Sequence, residues 1–132
     1  MSSKGGKLEP LSKFEWIIMN QVWDNTKCTV RDIHEALPAE KQRAYTTIQT
    51  YMERLVEKGY LHKEKIGLVN FYMPTVPREQ VVAGETNRFV TQVFGGSASR
   101  LAAYLLPNTK LTLEEINQIR RLLEEAERSN DK

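Results

Sequence analysis

Polar side chains that could read DNA bases occur together in the segment from residue 44 to residue 58. One side is polar when the segment is drawn as a helix of about 100° per residue. That side carries Thr46, Thr47, Gln49, Thr50 and Arg54. Threonine loses rotamer freedom on a helix, but its methyl can pack on thymine, and its hydroxyl can bond base edges or phosphates. The pattern predicts a DNA-reading face, with ordinary surface residues near a helix start as the simpler alternative.

Basic residues that could bind phosphate lie on both sides of this segment. Lys41 and Arg43 precede it, at the positive end of the helix dipole. Lys63 and Lys65 follow on a predicted hairpin that could reach the DNA backbone, although edge-strand lysines often serve only to prevent aggregation. The predicted DNA-binding set also includes two residues at the start of the preceding helix, Thr29 and Arg31.

Helix and strand signals place these residues in a winged helix-turn-helix. Capping residues begin helices at Ser12 and Thr29, and Gly59 stands where the third helix should end. Two short strands, Leu61–Ile66 and Asn70–Met73, form the predicted wing, and three further helices follow. In a winged helix-turn-helix, the third helix enters the major groove.

The predicted fold is mainly α, in three parts. Residues 1–10 are expected to form a flexible tail because serine, glycine and lysine dominate them. Residues 11–75 form the winged-helix DNA-binding domain, with three helices and a β-hairpin wing. Residues 76–132 form a C-terminal three-helix dimerisation domain.

Apolar side chains in the C-terminal part are too numerous for so short a segment to bury alone. A second copy of the chain would cover them, and two-fold symmetry is the commonest arrangement. The alternative is that these helices fold back on their own N-terminal domain. The predicted dimerisation set is Phe89, Val93, Leu101, Leu105, Ile116, Ile119, Leu122 and Leu123.

Composition and motifs argue against an enzyme, a metalloprotein and a membrane protein. Apolar residues make up 40% and charged residues 27%, with a net charge of +2, as in a soluble globular protein. The lone Cys28, with His34 and His62, lacks the spacing of a zinc site. No dinucleotide-binding, P-loop or zinc-protease motif occurs, so neither a catalytic residue nor a cofactor is predicted. With no membrane span or secretory signal, the expected location is the cytoplasm.

The chain resembles the penicillinase-repressor family of transcriptional regulators, of the BlaI, MecI and CopY type. The matching stretches are Glu15 to Trp23 (EWIIMNQVW), Thr29 to Leu37 (TVRDIHEAL), Ala44 to Leu61 (AYTTIQTYMERLVEKGYL), Phe94 to Ser97 (FGGS) and Leu113 to Glu125. The resemblance implies a homodimeric repressor that binds a palindromic operator in double-stranded DNA. It also implies that the polar side of the third helix faces DNA, while Lys41 and Arg43 touch phosphates.

Two departures from the family pattern bear on how repression would be relieved. Copper-responsive members end in a cysteine-rich metal motif, whereas this chain ends without a cysteine. Members that respond to β-lactams are cut at an Asn-Phe bond, and the corresponding residues 101–106 read LAAYLL. A sensor or protease partner therefore stays an open alternative. The rival function is a winged-helix protein-interaction module without DNA-binding activity, whose binding would depend little on salt.

Overall fold

The computed structural model describes residues 8–130 of the chain, which contain six α-helices and one two-stranded sheet. The elements run in the order α1 (Lys13–Asn25), α2 (Val30–Ala36), a short 3-10 turn (Ala39–Lys41), α3 (Tyr45–Glu57), β1 (Leu61–Ile66), β2 (Val69–Pro74), α4 (Arg78–Phe94), α5 (Ala98–Leu105) and α6 (Leu113–Asn130). This order confirms the predicted mainly α fold, with three helices and a hairpin followed by three helices.

Reciprocal capping bonds begin the first two helices. The backbone N–H of Glu15 donates to Ser12 Oγ at 3.3 Å, and the N–H of Ser12 donates to Glu15 Oε1 at 2.8 Å. Thr29 and Asp32 form the same pair of bonds at the start of α2. Each box satisfies backbone donors that the first helical turn leaves free, which fixes where the helix begins.

The core of the N-terminal part lies between the first three helices and the hairpin. Its fully buried side chains come from all of these elements, and include Ile18 and Val22 of α1, Ile33 of α2 and Met52 of α3. Leucine, isoleucine and methionine spaced three or four residues apart on α3 give it one apolar side, which this core buries. The opposite side of α3 consequently faces outward.

The hairpin, residues 61–74, is called the wing below. Its strands are antiparallel, with Lys63 opposite Tyr72 and Ile66 opposite Val69. Gly67 makes the turn with φ +64°, a left-handed conformation that glycine adopts without steric cost. Tyr72 also pairs with Cys28 through two backbone hydrogen bonds of 2.7 and 3.0 Å, which attach the wing to the segment before α2.

The segment before α1 is held against the N-terminal part. Leu8 packs on the hydrophobic core, the Glu9 carbonyl accepts a hydrogen bond from the Tyr60 hydroxyl, and the Pro10 carbonyl accepts one from Lys58. The predicted flexible tail covered residues 1–10. Residues 1–7 lie outside the described part, whereas residues 8–10 contact the core, because the end of α3 offers them hydrogen-bond donors and an apolar surface.

The chain divides into two compact units, the first ending at Glu85 and the second beginning at Thr86, within α4. The domain boundary predicted near residue 75 falls earlier, in the turn that precedes this helix. In the second unit, Gly95 and Gly96 end α4 with φ values of +61° and +84°. Ser97 then caps α5 through the N–H of Arg100. Among the described helices, none is both long and apolar enough to cross a lipid bilayer.

Candidate nucleic-acid interface

The outward side of α3 presents the side chains that the sequence predicts to read bases. Its predicted members are all exposed to solvent, namely Thr46, Thr47, Gln49, Thr50 and Arg54. The Thr50 hydroxyl donates to the carbonyl of Thr46 at 3.0 Å, so its donor is engaged while its oxygen can still accept a hydrogen bond. This side can therefore offer methyl groups, hydroxyl oxygens and an amide to the edges of bases.

The turn between α2 and α3 fixes how α3 is presented. The Gln42 amide donates to the carbonyls of His34 and Leu37, both at 2.8 Å. These bonds join the end of α2 to the residues that lead into α3. Ala44 is the N-cap of α3 and its side chain has no acceptor, so the first backbone N–H groups of the helix donate to no capping side chain there.

Two arginines of the predicted DNA-binding set lie on aromatic rings. The guanidinium of Arg43 is 4.9 Å from the centroid of Phe14, and that of Arg54 is 5.1 Å from the centroid of Tyr51. The two rings are themselves 4.9 Å apart. The attraction between cation and ring restrains each guanidinium. One N–H of Arg43 donates to the Gln42 carbonyl at 2.9 Å, and a guanidinium has further N–H groups that can donate to phosphate oxygens. Sequence reasoning found both arginines but missed the aromatic pair, which joins residues far apart in the chain.

The basic residues of the wing differ in their surroundings. Lys63 lies 3.0 Å from both carboxylate oxygens of Glu53 on α3. Lys65, two residues along β1, is exposed and forms no ion pair with any described residue. Because strand residues two apart point to the same side, both lysines lie on one side of the wing, but the charge of Lys63 is matched within the protein.

The Glu53 carboxylate also accepts a 2.5 Å hydrogen bond from the hydroxyl of Tyr72. That bond is the largest cause that holds the pKa of Glu53 below its ordinary value, and the Lys63 ammonium contributes to the same effect. Burial, followed by the bond to Glu53, raises the pKa of Tyr72. At neutral pH the pair is therefore an ionised carboxylate and a neutral phenol. Neither residue was predicted from the sequence.

The other predicted DNA-binding residues are placed as follows. Thr29 is partly buried, because its hydroxyl caps α2. Arg31 is exposed on the first turn of α2. Lys41 is partly buried in the 3-10 turn that leads towards α3.

The predicted dimerisation set lies on helices whose apolar side chains are exposed or only partly buried. From Thr86 to Asn130, the structure buries no side chain. Three members of the set are partly covered: Leu101, Ile116 and Ile119. The other five are exposed: Phe89, Val93, Leu105, Leu122 and Leu123. The Phe89 ring meets the Phe94 ring edge-on at 5.8 Å, so both aromatic side chains stand together near the end of α4.

Cys28, the cysteine considered for catalysis or metal binding, lies in the hydrophobic core. Cys28 is buried, and its burial, reinforced by Asp32, raises the pKa of the thiol to about 11. It is therefore protonated at neutral pH and a weak nucleophile. Within residues 8–130, no three side chains of histidine, cysteine, aspartate or glutamate are grouped closely enough to hold a metal ion.

Comparison with known proteins decides the family. The profile described as penicillinase repressor matches residues 11–125. The chain belongs to the penicillinase repressor family. Members of this family are transcriptional repressors and not enzymes, so the chain is a DNA-binding transcriptional regulator, as the sequence predicted.

Individual relatives match along most of their length. The penicillinase repressor of Bacillus licheniformis is 27% identical over 119 residues, which cover 90% of this chain and 93% of that protein. The transcriptional regulator BlaI of Mycobacterium tuberculosis is 34% identical over 122 residues, which cover 92% of this chain and 88% of the relative. A solution structure of the DNA-binding domain of the repressor BlaI is 28% identical and covers 55% of this chain and 88% of its own, with a TM-score of 0.49.

Proposed function

We propose that the chain represses transcription by binding a palindromic operator in double-stranded DNA as a homodimer. In this proposal α3 lies in the major groove and the wing lies beside the DNA backbone. The observation that carries it is the exposed side of α3, where Thr46, Gln49 and Thr50 face solvent. Arg43 and Arg54 lie near the same helix, each over a ring of the Phe14–Tyr51 pair.

Each class of contact has its own task in this arrangement. Thr46, Thr47, Gln49 and Thr50 read base edges, because contacts to base edges in the grooves read sequence directly, whereas phosphate contacts do not. The phosphate contacts come from basic residues around them, namely Arg31, Lys41, Arg43, Arg54 and Lys65. Thr29 supports them by fixing the start of α2, which would cross the DNA backbone. The exposed guanidiniums that stack on Phe14 and Tyr51 are already held in position, so less side-chain entropy is lost on binding.

The homodimer would form through the helices of the second unit. The unburied stretch from residue 86 to residue 130 supports this proposal, because a monomer would leave its apolar side chains in water. A two-fold dimer presents two copies of α3 to successive major grooves, about 34 Å or a multiple of it apart. Linking two moderate contacts raises the affinity by about 10² or more, which a chain with a net charge of only +2 would need.

The location and the means of induction complete the proposal. The regulator would act in the cytoplasm, in contact with the DNA that it controls. A sensor or protease that relieves repression is supported by the family resemblance alone. Residues 101–106 hold no Asn-Phe bond for such a protease to cut.

Selection of preferred sequences from a random pool of duplex DNA tests the function. We expect a two-fold-symmetric motif, together with an affinity that falls linearly with salt on logarithmic axes. A pool without any enriched sequence, or binding to a protein partner with a flat salt response, would instead favour the protein-interaction module.

A further inference from the structure

We infer that Glu53 positions the wing on α3 and thereby sets how well the protein distinguishes its operator from other DNA. This inference rests on the proposed function and assigns a task to an acidic residue within the basic and polar surface. Glu53 lies four residues after Gln49 and seven after Thr46, hence on the same side of α3. An unpaired carboxylate at this place would repel the phosphates of bound DNA.

The Glu53 carboxylate accepts hydrogen bonds from both strands of the wing. Glu53 Oε2 accepts the Tyr72 hydroxyl of β2 at 2.5 Å, and both oxygens lie 3.0 Å from the Lys63 ammonium of β1. Because Lys63 and Tyr72 face each other across the hairpin, the carboxylate holds a matched pair of strand residues. Its negative charge is thereby balanced locally, and α3 is fastened to both strands of the wing.

Tyr72 connects three segments of the chain: strand β2, the residues before α2, and α3. Its backbone pairs with Cys28, just before α2, while its hydroxyl reaches Glu53 on α3. Its side chain is fully buried. A two-stranded hairpin is marginally stable by itself, so its orientation depends on such attachments. The Glu53 contact fixes the wing relative to the helix proposed to read bases.

The pairing also changes the task of Lys63. The Lys63 charge is already matched by two carboxylate oxygens at 3.0 Å, so it adds less to the attraction of a phosphate than an unpaired lysine does. Lys65 has no such restraint and lies on the same side of β1. Lys63 is consequently a positioning residue, and Lys65 is the phosphate ligand of the wing.

Removing the Glu53 carboxylate should raise the affinity for unrelated DNA and lower the preference for the operator. Glu53→Ala frees Lys63, so affinity for unrelated DNA rises and the salt slope steepens by about one. The ratio of operator affinity to affinity for unrelated DNA falls about tenfold, because the wing loses a hydrogen bond to a charged group. The matched control is Glu57→Ala, an exposed carboxylate one turn later on α3, which should raise both affinities by a similar factor and preserve the ratio.

Two further variants separate positioning from charge. Tyr72→Phe removes one oxygen without altering the charge, and should lower the ratio about fivefold while the salt slope stays constant. Lys63→Ala should lower the ratio without reducing the salt slope, whereas the control Lys65→Ala should reduce the slope by about one. Circular dichroism checks that each variant is folded. If Tyr72→Phe does not fold, Glu53→Ala and the two lysine variants still decide the question.

The outcomes keep this inference apart from the proposed function. A wild-type protein without sequence preference would overturn both. If the wild type selects an operator but Glu53→Ala behaves like Glu57→Ala, only the role of Glu53 is refuted. A salt slope that falls by one in Lys63→Ala would return Lys63 to the phosphate ligands and would likewise refute it.

Discussion

Glu15 and Lys58 form a shielded ion pair that joins the start of α1 to the end of α3. The ammonium lies 2.8 Å from Oε1 of the carboxylate, and the Glu15 side chain is only 2% exposed. The same oxygen accepts the Ser12 N–H, so one carboxylate closes a helix cap and binds a second helix. In such a pair each charge offsets the cost of burying the other, so removing one partner leaves a buried charge without compensation.

Removing one partner of this pair should be costly. Lys58→Met leaves the Glu15 carboxylate buried without its counter-charge, and the free energy of unfolding should fall by about 3–5 kcal/mol. Chemical denaturation measures the loss. The control is Lys13→Met, an exposed lysine of α1, which should change stability by about 0.5 kcal/mol or less. Equal effects of the two changes would contradict a structural role for the pair.

The same pair predicts a dependence of stability on pH. Burial raises the pKa of Glu15, but the hydrogen bond and charge of Lys58 and the bonds from Ser12 outweigh it, leaving the pKa below the ordinary value of 4.5. A depressed carboxyl pKa adds stability above the unfolded value, and this stability is lost as pH falls through the folded pKa. Unfolding measured from pH 7 to pH 3 should show a steeper loss for wild type than for Glu15→Gln. Parallel curves would exclude Glu15 as the cause.

Arg43 should act as a phosphate ligand that stacking on Phe14 holds in place. Arg43→Ala should weaken binding to every DNA sequence by a similar factor and lower the salt slope by about one. Arg43→Lys should restore part of the affinity, since lysine keeps the charge but lacks a planar group to stack. Fluorescence anisotropy over a salt series gives both quantities, with the exposed Lys110→Ala of the second unit as control. An unchanged slope in Arg43→Ala would remove Arg43 from the phosphate ligands.

Gln49 and Thr46 should determine which bases are preferred. Each change to alanine should cost about 1–3 kcal/mol at the preferred base and little at others, so the selected motif becomes less defined at one position. Binding to a panel of single-base operator variants measures this. Gln118→Ala, an exposed glutamine on α6, should leave the motif intact. Uniform weakening across the panel would show that these side chains touch only the backbone.

Leu122 should lie in the interface between two copies. Its side chain is 63% exposed, and a carboxylate placed there would be buried without a partner in a dimer. Leu122→Asp should therefore convert the protein to monomers in sedimentation and lower operator affinity about 10²-fold. Arg121→Asp puts the same group about 100° from Leu122 around α6, outside the apolar stripe, and should leave the dimer whole. A Leu122→Asp dimer would place the interface elsewhere.

The elements could be predicted because their signals are local. The caps at Ser12 and Thr29 and the three- and four-residue spacing on α3 are short-range patterns, and the structure confirms these features. The attachments around the candidate site could not be predicted, since each joins residues distant in sequence. Glu53 and Tyr72 meet only after the wing folds onto α3, and Phe14 meets Tyr51 only after α1 does so. The contacts of Leu8 to Pro10 with the core and the end of α3 were not predicted either, because they too join distant residues and the segment carries no helix or strand pattern.

The anchoring of residues 8–10 has a practical consequence for deletion experiments. Leu8 lies so close to Gly59 that a Cβ there would come within 3.1 Å of its side chain, and the next two carbonyls receive side-chain bonds from Tyr60 and Lys58. A truncation that starts the chain at Leu11 would strip the far end of α3 of these partners. If this truncated protein lost operator binding, the cause would be the lower stability around α3 and not a lost DNA contact. Its melting temperature should therefore be measured before any role in DNA contact is assigned to the removed residues.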